Sequence, residues 1–229
     1  DRAAAGRHRR TTRGRGARVK PLGIFGGTFD PIHLGHLCVA WEASELLDAD
    51  VLMMPSGIPP HRPPPIASSP QRLAMLEVAL RGQSRLILDG RELARSGPSY
   101  TVDTLVELRD EHGGRPLVLL LGTDAFAGLP DWHGWHRLFE LAHIGVLSRP
   151  GEQATLPEEL QRETADRWVD DATSLQSAPA GQVMALSVTP LEISATRIRQ
   201  LLAAGREPRY QLPSELFGAP ELLSPYRQH

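Results

Sequence analysis

Apolar residues fall in short, nearly continuous runs separated by stretches of mixed polarity. Leu22–Phe25, Val51–Met54, Arg85–Leu88, Leu117–Leu121, Ile144–Ser148 and Val183–Val188 each read as a strand. Helices are predicted between them, over Gly35–Leu47, Gln71–Arg81, Thr101–Glu111, Gly134–Leu141 and Ser194–Leu202. In Gln71–Arg81 the apolar residues Leu73, Leu76 and Leu80 recur at helical spacing. Continuous apolar strands alternating with helices imply a parallel sheet covered on both faces. The expected fold class is therefore α/β, a doubly wound parallel sheet in one domain over residues 19–229. Pro55 to Pro70 holds seven prolines and reads as a stiff loop. Residues 150–176 are polar and acidic with weak periodicity, which predicts an excursion from the core.

Charge is unevenly distributed. Residues 1–20 carry eight basic side chains against Asp1 alone, whereas the rest carries 17 basic and 26 acidic residues. Residues 1–18 are Arg/Gly-rich and are expected to form a disordered extension. The basic arm invites a nucleic-acid reading. The acidic body opposes a wider footprint, so nucleic acid is not an expected partner. Lys20 is the only lysine, which rules out a P-loop lysine. A phosphate site in the body must then use arginine, histidine, backbone N–H groups or a metal. Cys38 is the only cysteine, so no intrachain disulfide can form. No apolar run reaches the roughly 20 residues of a membrane helix, and no leader is visible. A cytoplasmic location is expected.

Parallel sheets bind ligands beyond the C-terminal ends of their strands, where strand order reverses. Segments 26–33, 55–70, 122–133 and 189–194 follow predicted strands and carry the unusual chemistry. Gly26 and Gly27 lack side chains where backbone must approach a ligand, and glycine can adopt positive φ. Asp30-Pro31 initiates a turn. His33 and His36 then stand three apart near a helix start, where free N–H donors and partial positive charge attract anions. A neutral imidazole donates one hydrogen bond, and an imidazolium adds a charge. A zinc pair would need a third ligand that Cys38 does not convincingly supply. Farther on, Ser194 is a candidate N-cap. Thr196 and Arg199 share a helical face opposite Ile198, Leu201 and Leu202. That arrangement suits a second anion site.

The segment Gly26-Gly27-Thr28-Phe29-Asp30-Pro31-Ile32-His33-Leu34-Gly35-His36 resembles the signature of the nucleotidyltransferase superfamily, whose core is (H/T)-x-G-H. Ile193-Ser194-Ala195-Thr196-Arg197-Ile198-Arg199 is similar to its partner motif, S-x-T-x-x-R. Together they resemble the bacterial nicotinate-nucleotide adenylyltransferases over roughly residues 19–215. Further similarity lies in Pro59-Pro60-His61-Arg62, Pro98-Ser99-Tyr100-Thr101, Leu121-Gly122-Thr123-Asp124 and Pro130-Asp131-Trp132. Phe217 to His229 matches weakly, and His133 stands where the family commonly has tyrosine.

The resemblance implies a Rossmann-like fold with a small helical C-terminal part. It implies transfer of AMP from ATP to nicotinate mononucleotide, with Mg²⁺ held on the phosphates and no protein side chain as metal ligand. A related enzyme preferring NMN or phosphopantetheine, and a non-catalytic nucleotide-binding protein, are the alternatives. His36 and His33 would act at the α-phosphate, with Gly26, Gly27, Thr28 and Phe29 in the nucleotide turn. Ser194, Thr196 and Arg199 would hold the outer phosphates, and Gly122 and Asp124 the adenosine ribose. His61, Arg62, Thr101, Trp132 and His133 would bind the nicotinate nucleotide. Its state would be monomeric or homo-oligomeric.

Overall fold

The computed structural model describes residues 19–57, 63–148 and 155–227. Its sheet contains β1 (Leu22–Gly27), β2 (Asp50–Pro55), β3 (Leu86–Leu88), β4 (Leu117–Gly122), β5 (His143–Ser148), β6 (Trp168–Val169) and β7 (Val183–Ser187). The order is β3-β2-β1-β4-β5-β7-β6, with every neighbouring pair parallel. The helices are α1 (Leu34–Leu46), α2 (Ser69–Ala79), α3 (Arg91–Ala94), α4 (Thr101–His112), α5 (Thr123–Ala127), α6 (Trp135–Leu141), α7 (Glu158–Thr164), α8 (Ala172–Leu175) and α9 (Ala195–Ala203). Two 3₁₀ segments, Ser214–Gly218 and Pro220–Tyr226, follow α9 and form the small C-terminal part.

Alternate strand residues supply opposite faces, and both faces are buried. Val51, Met53, Val118, Leu120 and Leu186 pack with Ala40 and Ala43 of α1, Met75 and Leu76 of α2, and Ile198 and Leu202 of α9. Leu216, Leu223 and Tyr226 of the C-terminal segments join that core. Leu22, Ile24, Leu52, Met54, Leu117, Leu119, Leu121 and Ile144 pack with Leu105 and Leu108 of α4 and Leu138 and Phe139 of α6. This two-sided burial is why the strands read as unbroken apolar runs. Each fully buried Leu, Val or Met contributes about 1.5–3 kcal/mol.

Strand order reverses between β1 and β4, and their ladder is short. Leu22, Gly23 and Ile24 pair with Leu117, Val118 and Leu119. Beyond that, Gly26 and Gly27 pair only with β2, and Leu121 and Gly122 only with β5. A cleft opens between the two strand ends.

Three local differences from the expected elements have clear causes. α2 begins at Ser69, inside the proline-rich loop, because Ser68 and Gln71 form a capping box. Ser68 N donates to Gln71 Oε1 at 3.0 Å, Gln71 N donates to Ser68 Oγ at 3.4 Å, and Pro70 lies in the first turn where its missing N–H costs nothing. Residues 155–176 are more ordered than an excursion: α7 buries Leu160, and β6 extends the sheet edge beside β7. Short elements with one or two buried side chains leave little periodic signal. The third is the chain from Arg91 to Asp131, where α3 and a 3₁₀ turn at Leu129–Asp131, four and three residues long, leave no periodic signal.

The capping box gives a direct test of the loop-to-helix boundary. Ser68→Ala is expected to cost about 1 kcal/mol. The urea midpoint should fall with the m-value unchanged. A midpoint equal to wild type would show that the cap contributes nothing.

Candidate active site

The turn leaving β1 is shaped by close packing around Phe29. Its ring is 1% exposed, and a Cβ on Gly27 would lie 2.9 Å from it. Gly27 is thus required by the aromatic ring beneath it. Neither glycine uses its freedom to take positive φ; the left-handed residue is Phe29, at φ 50°. A side chain there is disfavoured, and burial of the whole ring offsets that cost. A Cβ added to Gly26 would meet no atom within 4 Å, so its backbone borders open space.

His33 is the N-cap residue of α1, and its ring stacks on His36 with centroids 3.6 Å apart and planes at 21°. Phe29 meets His36 edge-on at 5.0 Å. Gly35 permits this arrangement: a Cβ there would lie 3.1 Å from His33 Nδ1 and 3.6 Å from Ile193 Cβ. The same contact brings the start of α9 against the start of α1. Burial lowers the His33 pKa to about 4. Burial, then the neighbouring His33, lowers that of His36 to about 3. Both rings are therefore neutral near pH 7, and the imidazolium option is not the resting form. Nδ1 of each ring is buried without a hydrogen-bond partner among the described residues.

At α9, Ser194 caps as expected, accepting from Arg197 N at 3.2 Å. Arg199 donates from Nη2 to Thr196 Oγ1 at 3.2 Å and from Nη1 to the Asp30 carbonyl at 2.8 Å. The two motifs, far apart in sequence, are thus joined at the turn.

Asp30 is almost fully buried. Its carboxylate accepts from Ile66 N at 2.9 Å, Ala67 N at 3.0 Å and the Tyr226 hydroxyl at 2.7 Å. Arg72, 1% exposed, donates from Nη1 to the carbonyls of Thr28 and Ser56 at 2.8 and 2.9 Å. Desolvation lowers the Arg72 pKa, and the nearby Asp30 charge opposes that shift. Neither Arg72 nor Tyr226 stood out in the sequence. Arg72 sits in an ordinary amphipathic helix, and Tyr226 in the weakly matching C-terminal stretch.

Between the parted strands lies a cavity of about 340 Å³. Gly26, Gly27, Thr28, Thr101, Gly122, Trp132 and His133 all border it. Ser56, Glu92, Tyr100 and Thr104 also line it, and no signal in the sequence singles them out. Thr101 opens the 12-residue helix α4, whose N-terminus favours an anion. The His133 ring lies 4.5 Å from that of Tyr100. Trp135, by contrast, is core. Phe29, His33, His36, Ser194, Thr196 and Arg199 form a separate group around the turn, adjoining the cavity through Phe25. Asp124 is exposed on α5, next to the lining residue Ala125, and Gly122 is the N-cap of that helix. His61 and Arg62 lie outside the described residues. Among the described residues no cluster of three His, Cys, Asp or Glu side chains suits a metal ion, and no helix is long and apolar enough to cross a membrane.

The buried imidazoles predict acid sensitivity. In the unfolded chain they protonate near pH 6.5, and in the folded protein only near 4 and 3. Between those values the unfolded state binds more protons, so unfolding free energy falls as pH drops from about 6.5 towards 4. His36→Asn should flatten that dependence by close to one proton in urea titrations between about pH 4.5 and 6. An unchanged slope would place the ring in solvent.

Comparison with known proteins agrees with this geometry. The cytidylyltransferase-like family model matches residues 24–201. A probable nicotinate-nucleotide adenylyltransferase of Methylococcus capsulatus is 49% identical over 194 residues, covering 84% of this chain and 92% of its own. One from Pseudomonas putida is 46% identical over 211 residues, covering 91% and 96%. The nicotinic acid mononucleotide adenylyltransferase of Plasmodium falciparum, solved in complex with NaAD, shares the fold, with a TM-score of 0.68 at 16% identity, covering 91% of this chain and 98% of its own. With its two signature motifs meeting at Gly35 and its relatives matched over nearly their whole length, the chain is an enzyme of the nicotinate-nucleotide adenylyltransferase family, within the nucleotidyltransferase superfamily.

Proposed function

We propose that this enzyme transfers AMP from ATP to nicotinate mononucleotide, releasing pyrophosphate and forming deamido-NAD. The observation that carries the reading is the stacked His33–His36 pair set against the start of α9, beside a cavity walled by Trp132 and the N-terminus of α4. A phosphate oxygen of nicotinate mononucleotide attacks the α-phosphorus of ATP. A new P–O bond forms, the bond to the bridging oxygen breaks, and its electron pair leaves with pyrophosphate. The nucleophile is already anionic, so no protein base or covalent intermediate is required. Catalysis is then positioning and charge stabilisation.

In this scheme His36 contacts the α-phosphate, with His33 alongside, as neutral donors. Backbone N–H groups of Thr28 and Phe29 assist, where Gly26 and Gly27 allow close approach. Ser194, Thr196 and Arg199 hold the β- and γ-phosphates. Gly122 and Asp124 bind the adenosine ribose. Trp132 stacks on the nicotinate ring. The N–H groups of Thr101 and His133 receive its carboxylate, which favours the acid over the amide of NMN. His61 and Arg62 serve the phosphate of that nucleotide. The Asp30 carboxylate already has three donors, so Mg²⁺ is assigned to the phosphates of ATP and water, where it offsets their charge.

His36→Ala is expected to lower kcat by about 10²–10³ while largely preserving nicotinate mononucleotide binding. Pyrophosphate release from ATP, assayed in parallel with nicotinate mononucleotide, NMN and phosphopantetheine, is the measurement. Near-normal turnover by the variant would overturn the histidine assignment. Faster reaction with phosphopantetheine would overturn the substrate.

A further inference from the structure

The C-terminal segment reaches the phosphate side of the site through one hydroxyl. Tyr226 is 3% exposed and donates to Asp30 Oδ1 at 2.7 Å. The other carboxylate oxygen, Oδ2, accepts from Ile66 N and stands 4.0 Å from Arg199 Nη1. Arg199 instead donates to the main-chain oxygen of the same residue, Asp30, and to Thr196. Those bonds use two of the five guanidinium N–H groups. The side chain is partly exposed, so the remainder are accessible.

We propose that Tyr226 is a positioning residue for the leaving pyrophosphate: its hydroxyl restrains the Asp30 carboxylate and so keeps the Arg199 guanidinium available to phosphate. The inference rests on the placement of Arg199 at the outer phosphates. The physical basis is competition for one cation. A carboxylate within about 3 Å of a guanidinium forms a bidentate pair and occupies its donors. Asp30 is near enough to do this and is held back by the phenol and two backbone N–H groups. Without the phenol, Oδ1 loses its only side-chain donor in a buried setting, and the carboxylate swings towards Arg199. The cation is then neutralised before ATP arrives.

The test is steady-state kinetics of Tyr226→Phe, which keeps the ring and its packing. The kcat/KM for ATP should fall about tenfold, and the KM for pyrophosphate in the reverse reaction should rise, with the KM for nicotinate mononucleotide unmoved. Leu223→Ala loosens the same segment without touching the hydroxyl and serves as the stability-matched control. It should leave the balance between the two substrates as in wild type. In an Arg199→Ala background, Tyr226→Phe should have little further effect. Tyr226→Phe and Leu223→Ala are both assayed at a temperature at which each is folded, so that lost stability is not read as lost ATP kinetics. Unaltered ATP kinetics in Tyr226→Phe, a full tenfold loss persisting in the Arg199→Ala background, or the same substrate pattern in Leu223→Ala would each overturn the positioning role. Unaltered ATP kinetics in Arg199→Ala alone would instead overturn the placement of Arg199 at the outer phosphates, and the proposal with it.

Discussion

The β1–β4 ladder ends at Ile24 and Leu119, and what the molecule offers a ligand is arranged around that ending. Crossovers from β1 and β4 run to opposite faces of the sheet, since α1 packs on one core and α6 on the other. Thr101, Thr104 and Leu105 of α4 line the gap between the diverging chains. Backbone groups at Gly26–Gly27 and Gly122 then have a partner strand on one side only. Gly26 and Gly122 are exposed, so their unpaired backbone groups are open to water or to a ligand. Gly26 and Gly122 keep that backbone accessible, because a Cβ at either position would meet nothing within 4 Å. The cleft follows from topology, and its chemistry from which residues stand at its rim.

A buried ionic cluster then fixes the rim. Removing two charges from water costs several kcal/mol per ion unless geometry and hydrogen bonds compensate. Asp30 and Arg72 meet that requirement mainly through the main chain. Arg72 joins the end of β1, through the Thr28 carbonyl, to the end of β2, through the Ser56 carbonyl. Asp30 gathers Ile66 and Ala67 from the approach to α2 and Tyr226 from the C-terminal segment. Four stretches of chain are held to one turn. Apolar side chains of the same volume would fill the space, yet they would leave those carbonyl and N–H groups unpaired.

Six of the seven strands were legible from the sequence: β1, β2, β4 and β5 carry three or more consecutive buried residues, and β3 and β7 are short apolar runs bounded by turns. β6 escaped because two residues, Trp168 and Val169, make no pattern. Of the candidate site, the glycines and the residue types with phosphate chemistry could be read directly, and their order carried the family resemblance. Arg72 and Tyr226 could not. An arginine in an amphipathic helix looks solvated until the fold buries it, and a tyrosine near the chain end has no local signal for a carboxylate far away in sequence. The neutral state of the histidines was equally hidden, since it arises from burial and from ring-on-ring stacking that spacing alone does not reveal.

That neutral state gives the proposed reaction a direction. The described cation beside the turn with exposed donors is Arg199, and it stands with Thr196 on α9. His33 and His36, at the start of α1, bring hydrogen-bond donors without charge. On the proposed reading, negative charge accumulates on the leaving pyrophosphate as the bridging bond breaks. A fixed cation on that side, with neutral donors at the α-phosphorus, favours the charge in the transition state more than in bound ATP. Interactions of that unequal kind raise kcat, whereas charge spread evenly along the triphosphate would only tighten ground-state binding. On that reading, Arg199 is the charged side chain of the two motifs at the end of the substrate that departs, and the buried imidazole pair brings neutral donors at the other.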